Sequence, residues 1–317
     1  MYGRRKQVAS LGECLVELNG PAFGNLCQTF GGDTLNMALY LARVTAREVD
    51  VKYVSAVGTD DLSHEMVRRW ESEGVDTSLV LRDSTRHPGL YWIQLDRAGE
   101  RTFLYWRSES AARFVLQHPR FEAVEAELAK ADLIYLSAIS LAILPSSDRT
   151  RLLDLLLRLA AGGVAVAFDS NYRPALWPSQ EAARAAVAAI LPAVRLMFVT
   201  LDDERALWGD PTPEAALARL ANEERSVVVK VGKAGCFYGD GKVAIEVPTP
   251  PVLNVTDTTA AGDAFNAAFL AGWLAGHTPW ESCSAGNSLA GVVIQHRGAI
   301  IPASATPELS QLLSTGR

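Results

Sequence analysis

The stretch Asp257-Thr258-Thr259-Ala260-Ala261-Gly262-Asp263-Ala264-Phe265 holds the residues best suited to chemistry. Its small side chains let backbone approach a ligand closely, and they lead straight into a helical pattern. The first amides of a helix lack intrahelical acceptors and sit at the positive end of its dipole, so such an end takes phosphate. An Asp at that mouth, Asp263, can accept a proton from a hydroxyl attacking a phosphoryl group. The plainer reading is an Ala/Gly-rich helix start with Asp263 as its cap, and composition alone leaves both open. Other phosphate motifs are missing. Gly232-Lys233 lacks the upstream Gly of a Walker A loop and is followed by Ala234, and no GxGxxG follows a strand.

The elements that must position this stretch alternate between strand and helix patterns. Val8 to Leu18 reads as a strand. Gly31-Gly32 breaks the chain, and Asp33 to Val44 has helical spacing, with Asp33 or Thr34 as cap. Strand patterns recur at Val51–Val57, Asp132–Ala138, Val164–Asp169, Leu196–Thr200 and Ser226–Val231. Helical patterns recur at Asp60–Ser72, Phe121–Lys130, Ser146–Ala161, Gln180–Val194, Asp263–Leu274 and Pro279–Gln295. Cys236–Gly239 and Val243–Val247 read as an antiparallel pair around Asp240-Gly241. Runs of β-branched residues alternating with helices imply a mostly parallel sheet covered on both faces. Gly89 to Asp96 and Arg101 to Trp106 break the pattern. They are aromatic, alternate with period two, and flank Arg97-Ala98-Gly99-Glu100, which predicts a β-hairpin appended to the α/β body.

Composition sets the outer limits. The chain has 317 residues, 49% hydrophobic and 21% charged, with a formal net charge of −6. That length can bury about 75% of the unfolded surface, and nothing in the composition suggests disorder. The acidic balance and the absence of basic blocks argue against nucleic-acid binding. No run approaches the length of a membrane span, and the N-terminal residues do not make a signal peptide, so a cytoplasmic location is expected. Cys14, Cys27, Cys236 and Cys283 show no metal spacing and read as reduced thiols. His64, His87, His118, His277 and His296 are scattered, which disfavours a zinc site.

Taken together, the motifs resemble those of the ribokinase-like (PfkB) carbohydrate kinases over nearly the whole chain. Gly31-Gly32-Asp33-Thr34-Leu35-Asn36 is similar to that family's N-terminal Gly-Gly motif, and Asp257–Phe265 to its C-terminal motif. Asp169-Ser170-Asn171-Tyr172-Arg173-Pro174 and Thr200-Leu201-Asp202-Asp203-Glu204 fall between them in the family's order. Within the family the chain most resembles the branch acting on 2-keto-3-deoxygluconate. Ala260 stands where the family has Gly, and Leu201 where its metal-side motif has Asn.

The resemblance implies a three-layer α/β/α sandwich, treated as one domain over 1–317, with a small β-sheet lid from segments near 12–30 and 87–108. It implies ATP-dependent phosphorylation of 2-dehydro-3-deoxy-D-gluconate at its 6-hydroxyl, with Mg2+ and room for a monovalent cation. Asp263 would be the proton acceptor, and the amides of Ala260, Ala261, Gly262 and Asp263 an anion hole. Gly32, Tyr91, Tyr105, Arg107 and Arg173 would line the sugar pocket. Asn36 and Asn171 would contact hydroxyls, or instead satisfy local backbone. Two guanidinium groups in one pocket repel each other unless an anion lies between them, so the physics agrees with an acid substrate. The nucleotide would lie along Lys230, Val231, Gly232 and Gly235, with Asn287 near the adenine. Glu204 would serve magnesium. The lid would exclude water and offer a surface for a homo-oligomer. A neutral-sugar or nucleoside kinase, and an idle sugar-acid binder of the same fold, are the competing readings.

Overall fold

The computed structural model describes residues 4–95 and 101–314. The expected turn at Arg97–Glu100 lies outside them. Among the described residues thirteen strands form two sheets: β1 (Gln7–Leu11), β2 (Leu15–Asn19), β3 (Cys27–Gly31), β4 (Asp50–Val57), β5 (Val80–Arg82), β6 (Leu90–Leu95), β7 (Arg101–Trp106), β8 (Leu133–Ser137), β9 (Ala165–Asp169), β10 (Val194–Thr200), β11 (Ser226–Lys230), β12 (Cys236–Gly239) and β13 (Ala244–Val247). The large sheet has the order β13-β12-β11-β10-β9-β8-β1-β4-β5. Its pairs are parallel except β11 with β12 and β12 with β13. The small sheet has the order β3-β2-β6-β7.

Alternation along the parallel strands builds two cores. Val8, Val51, Tyr53, Tyr135, Phe198 and Val228 pack under the helices Asp33–Val44, Ala261–Leu274 and Pro279–Val293. Their sequence neighbours Ala9, Val54, Ile134, Met197 and Val229 face the opposite way, under Ser146–Ala161, Gln180–Ile190 and Pro213–Leu220. Period-two strands buried on both faces are why these runs read as continuous apolar sequence. The result is a three-layer sandwich with the small sheet beside it.

Several boundaries differ from expectation. The apolar run Val8–Leu18 is two strands in different sheets, because the chain turns out of the body at Gly12–Cys14. The strand expected to reach Ala138 stops at Ser137, which caps a short helix, Ala138–Ala142. The helix expected to reach Val194 ends at Ile190, where Pro192 starts a 3-10 turn and Val194 already belongs to β10. The helix expected to reach Gln295 ends at Val293. Periodicity cannot see where tertiary pairing takes over a residue of suitable type.

The root of the small sheet is anchored by Trp70, on the helix Asp61–Ser72. Its ring meets Phe30 of β3 edge-on at 6.1 Å and Tyr53 of β4 edge-on at 5.4 Å. It is fully buried, and its indole N–H has no partner among the described residues. Trp70→Ala should therefore cost about 3–5 kcal/mol of stability. Trp70→Phe, which keeps ring contacts and removes the unsatisfied donor, should cost far less. Denaturant midpoints of the two variants check this; equal losses would mean that the ring contacts do not hold the sheet's root.

Candidate active site

Parallel strands end together, and ligands of open α/β sheets bind beyond their carboxyl ends. Here the ends of β9, β10 and β11 bring Asp169, Thr200 and Lys230 to one place. Two cavities meet there. One, of about 560 Å3, lies under the small sheet and is lined by Glu13, Tyr91, Arg107, Asp169, Arg173 and Asp263, among others. The other, of about 370 Å3, is lined mainly by apolar groups and by Lys230, Gly232, Gly235 and Asn287. Thr200, Lys230, Thr258, Ala261 and Gly262 line both. The junction is thus the start of the helix Ala261–Leu274.

That helix begins one turn earlier than a cap at Asp263 would place it. Ala260 is the N-cap, and Asp263 is the third helical residue. Ala260 sits at φ 59°, in the left-handed region that disfavours a Cβ. A Gly at this position would carry no such penalty, which explains the family's Gly. The amide of Ala261 is turned to the Thr258 carbonyl at 3.3 Å. The first helical bond runs from Ala264 N–H to Ala260 O at 2.9 Å, so Gly262 and Asp263 hold the amides left for an anion.

Behind this end sits a dense polar network. Asn36 donates to Asp263 Oδ2 at 2.8 Å, and Asn171 donates to Asp33 Oδ2 at 2.7 Å. Lys230 Nζ lies 3.3 Å from Asp169 Oδ2 and 3.1 Å from Asn266 Oδ1. Asn266 returns a bond to Asp169 Oδ2 at 2.7 Å. Burial pushes the Asp263 carboxyl up to about 7; repulsion from Asp33 adds to this, and the Asn36 bond opposes it. Burial also raises Asp33. At neutral pH Asp263 is therefore poised between accepting and holding a proton.

Gly32 shows why the Gly-Gly pair precedes the first helix. A Cβ there would stand 2.2 Å from the Glu13 carbonyl oxygen. Only a bare backbone lets the Gly12–Cys14 turn pass against the helix start. Asp33, expected as a possible cap, is the first helical residue after the Gly32 N-cap, and its carboxylate faces the cavity.

The small sheet covers the larger cavity with one face. Tyr91, Phe103 and Tyr105 form a ladder of rings 5.9–6.4 Å apart. Tyr91 donates to Glu17, and Arg107 is paired with the buried Glu13. Arg173 lies 3.6 Å from Asp203, with its side chain half exposed.

Of the residues singled out from sequence, Gly32, Tyr91, Tyr105, Arg107, Asn171, Arg173, Asp263 and Ala260–Gly262 line the larger cavity. Asn36 does not line it and acts on Asp263 instead. Lys230, Gly232, Gly235 and Asn287 line the second cavity. Asn287 gives its amide to the Val247 carbonyl at 3.0 Å. Val231 packs on the core and does not line it. Glu204 is fully buried away from both cavities, held by Arg219 Nη2 at 2.5 Å, with Asp210 on the same nitrogen at 2.6 Å. Leu201 is buried on the same helix. Glu13, Asp33, Asp169, Asp203 and Phe103 also line the larger cavity, and the sequence had given none of them a part in binding. Asp169 and Asp203 were visible within quoted motifs. Glu13 carried no signal, because Val8 to Leu18 reads as one unbroken strand, which hides the turn that holds Glu13.

If Asp263 accepts the proton, kcat/KM should rise about tenfold per pH unit up to near pH 7, then level off. Asn36→Ala removes a donor that favours the charged carboxylate, so this limb should move to higher pH. Asp263→Asn should abolish turnover. A limb that stays in place or moves down in Asn36→Ala would separate the pH dependence from Asp263.

A profile of the pfkB family carbohydrate kinases matches residues 5–306. A curated 2-dehydro-3-deoxygluconokinase of Haemophilus influenzae is 52% identical over 93% of this chain and 96% of its own. The enzyme of that name from Escherichia coli K12 is 45% identical over 95% and 99%. A fructokinase with bound ATP from Xylella fastidiosa superposes with a TM-score of 0.81 at 23% identity, over 98% of each chain. A putative ribokinase II from E. coli, in complex with ATP and Mg2+, does so with a TM-score of 0.81 at 21% identity, again over 98% of each.

Proposed function

The chain belongs to the pfkB family of carbohydrate kinases, and from that premise we propose that it is a sugar-acid kinase. It transfers the γ-phosphoryl of ATP to the 6-hydroxyl of 2-dehydro-3-deoxy-D-gluconate. The observation that carries this reading is the joint placement of Arg107, Arg173 and Asp263 in one cavity that opens, across a helix N-terminus, onto a second.

The sugar acid enters under the small sheet. Its carboxylate is drawn to Arg107 and Arg173, because guanidinium–carboxylate pairs are charge-assisted and directional. Tyr91, Phe103 and Tyr105 cover it and exclude water. The primary hydroxyl reaches Asp263. As its oxygen bonds to the γ-phosphorus, the bond to the β,γ-bridging oxygen breaks, the hydroxyl proton passes to Asp263, and ADP leaves. The transition state is loose, so position and charge neutralisation do most of the work. The amides of Gly262 and Asp263 and the Lys230 ammonium receive the phosphoryl charge at the junction.

Magnesium travels with ATP and shields its phosphate charges. Among the described residues no group of three or more His, Cys, Asp or Glu side chains is gathered to hold a metal alone. An ion riding on phosphates needs only one or two carboxylates besides. Asp169 and Asp203 line the larger cavity and fit that part; burial raises the Asp203 carboxyl, and the nearby Arg173 opposes this. Glu204 lines neither cavity and is paired with Arg219 through one carboxylate oxygen.

Two coarser readings accompany this one. Leu104 and Trp106 alternate with the rings that line the cavity and are exposed, and this other face is the one by which two copies would pair. The cytosol suits an ATP donor and four free cysteines. Among the described residues no helix is long and apolar enough to cross a membrane.

ATP consumption assayed with 2-dehydro-3-deoxygluconate, fructose, ribose and adenosine tests the proposal. Turnover should be confined to the sugar acid; clear turnover with fructose and none with the acid would overturn it. Arg107→Ala should raise the KM for the acid by about tenfold or more while moving the KM for ATP little. Equal effects on both would place Arg107 on phosphate.

A further inference from the structure

Arg107 meets a carboxylate before any substrate arrives. Glu13 lies in the turn between β1 and β2, its side chain 1% exposed, and it pairs with Arg107 Nη2. Both residues line the sugar-side cavity. The pairing is one-legged: Glu13 Oε1 and Arg107 Nε are both buried and without partners among the described residues. The fork of a guanidinium has five N–H groups, and a carboxylate can take two of them along one edge. Glu13 takes an Nη2 group and Nε is buried, so Nη1 is the end that remains to be offered to the cavity both residues line.

Two features hold the pair in place. Gly32 lets the Glu13 backbone press against the first helix. Gly89, at the foot of β6, packs over the pair. A Cβ there would stand 2.9 Å from Glu13 Oε1, 3.1 Å from Arg107 Cβ and 2.4 Å from Leu15 Cδ2. The body and the small sheet therefore meet through an ion pair, with Glu13 supplied from the body side and Arg107 from the end of β7.

We infer that Glu13 is the positioning residue for sugar-acid recognition: it fixes Arg107 by its buried edge and so aims the rest of the guanidinium at the substrate carboxylate. Glu13 neutralises Arg107 in the empty site, where a largely buried cation would otherwise lack compensation. The substrate then meets a guanidinium already oriented, so less side-chain freedom is lost on binding. The acid would be expected on simple charge grounds to repel a sugar acid. Its pairing with Arg107 makes orientation outweigh repulsion.

This inference rests on the sugar-acid reading, and a double-mutant cycle separates the two. Wild type, Glu13→Ala, Glu13→Gln, Arg107→Ala and the Glu13→Ala/Arg107→Ala pair are assayed for kcat and for KM of both substrates. Glu13→Ala should raise the KM for 2-dehydro-3-deoxygluconate about tenfold or more, with the KM for ATP within about twofold. Glu13→Gln keeps the shape and an acceptor oxygen and should recover part of the loss. In the Arg107→Ala background, Glu13→Ala should add little, since the two act as one unit. A lowered KM for the sugar acid in Glu13→Gln would show that repulsion dominates and overturn the inference. Additive losses in the double variant would overturn it too, since Glu13 would then act without Arg107. Absence of wild-type turnover with the sugar acid would sink the functional reading itself, a different failure.

Discussion

The structure depends on keeping three carboxylates together at the end of a helix. Asp33, Asp169 and Asp263 come from three different elements and converge where the parallel strands stop. Bringing them out of water and next to one another opposes their ionisation. The fold answers with a single ammonium, Lys230, and with three amides, Asn36, Asn171 and Asn266, each donating to one carboxylate. The Ala261–Leu274 helix adds its own positive end beside Asp263. The consequence is a carboxylate with a raised proton affinity, beside amides with no acceptor, at the meeting point of two cavities. Each of those features suits phosphoryl transfer, and none is available from any one element.

The small sheet solves a different problem. It must cover a polar cavity yet present charge to a charged ligand. Period-two alternation separates the tasks. Tyr91, Phe103 and Tyr105 face the cavity, while Leu104 and Trp106 face outward. The cations that recognise an acid are placed at the edges of the cavity, Arg107 at the foot of β7 and Arg173 past β9. Each has an acidic partner, Glu13 and Asp203. An acidic protein can therefore hold an anion site without a basic patch: its guanidinium groups are compensated locally and oriented by that compensation.

Glu204 shows how far motif order and side-chain placement can differ. Its place in the order of the chain matches a metal-side position, yet its carboxylate is paired with Arg219, which also holds Asp210 and lies over Trp208, with 4.6 Å from the ring to the guanidinium carbon. A buried carboxylate with a bidentate-capable Arg is a structural group unless something displaces that partner. Position in sequence says which element carries a residue; it does not say which way the side chain turns at the element's end.

Sequence by itself determined the layers and the ends of the chain's logic. Continuous β-branched runs between amphipathic helices imply a parallel sheet covered twice, whereas small residues leading into a helix left open both an anion site and a plain helix start. The hairpin announced itself through alternating aromatics. Tertiary structure decided the rest. The apolar run Val8–Leu18 was split between two sheets because Gly12 and Gly32 allow a turn there, which periodicity cannot register. Asn36 looked like a hydroxyl contact and became the donor to Asp263, 227 residues away. Glu13, which no motif singled out, is the partner of Arg107. These assignments rest on distances between residues remote in the chain, and such distances are set by how the layers pack, not by the local pattern of any segment.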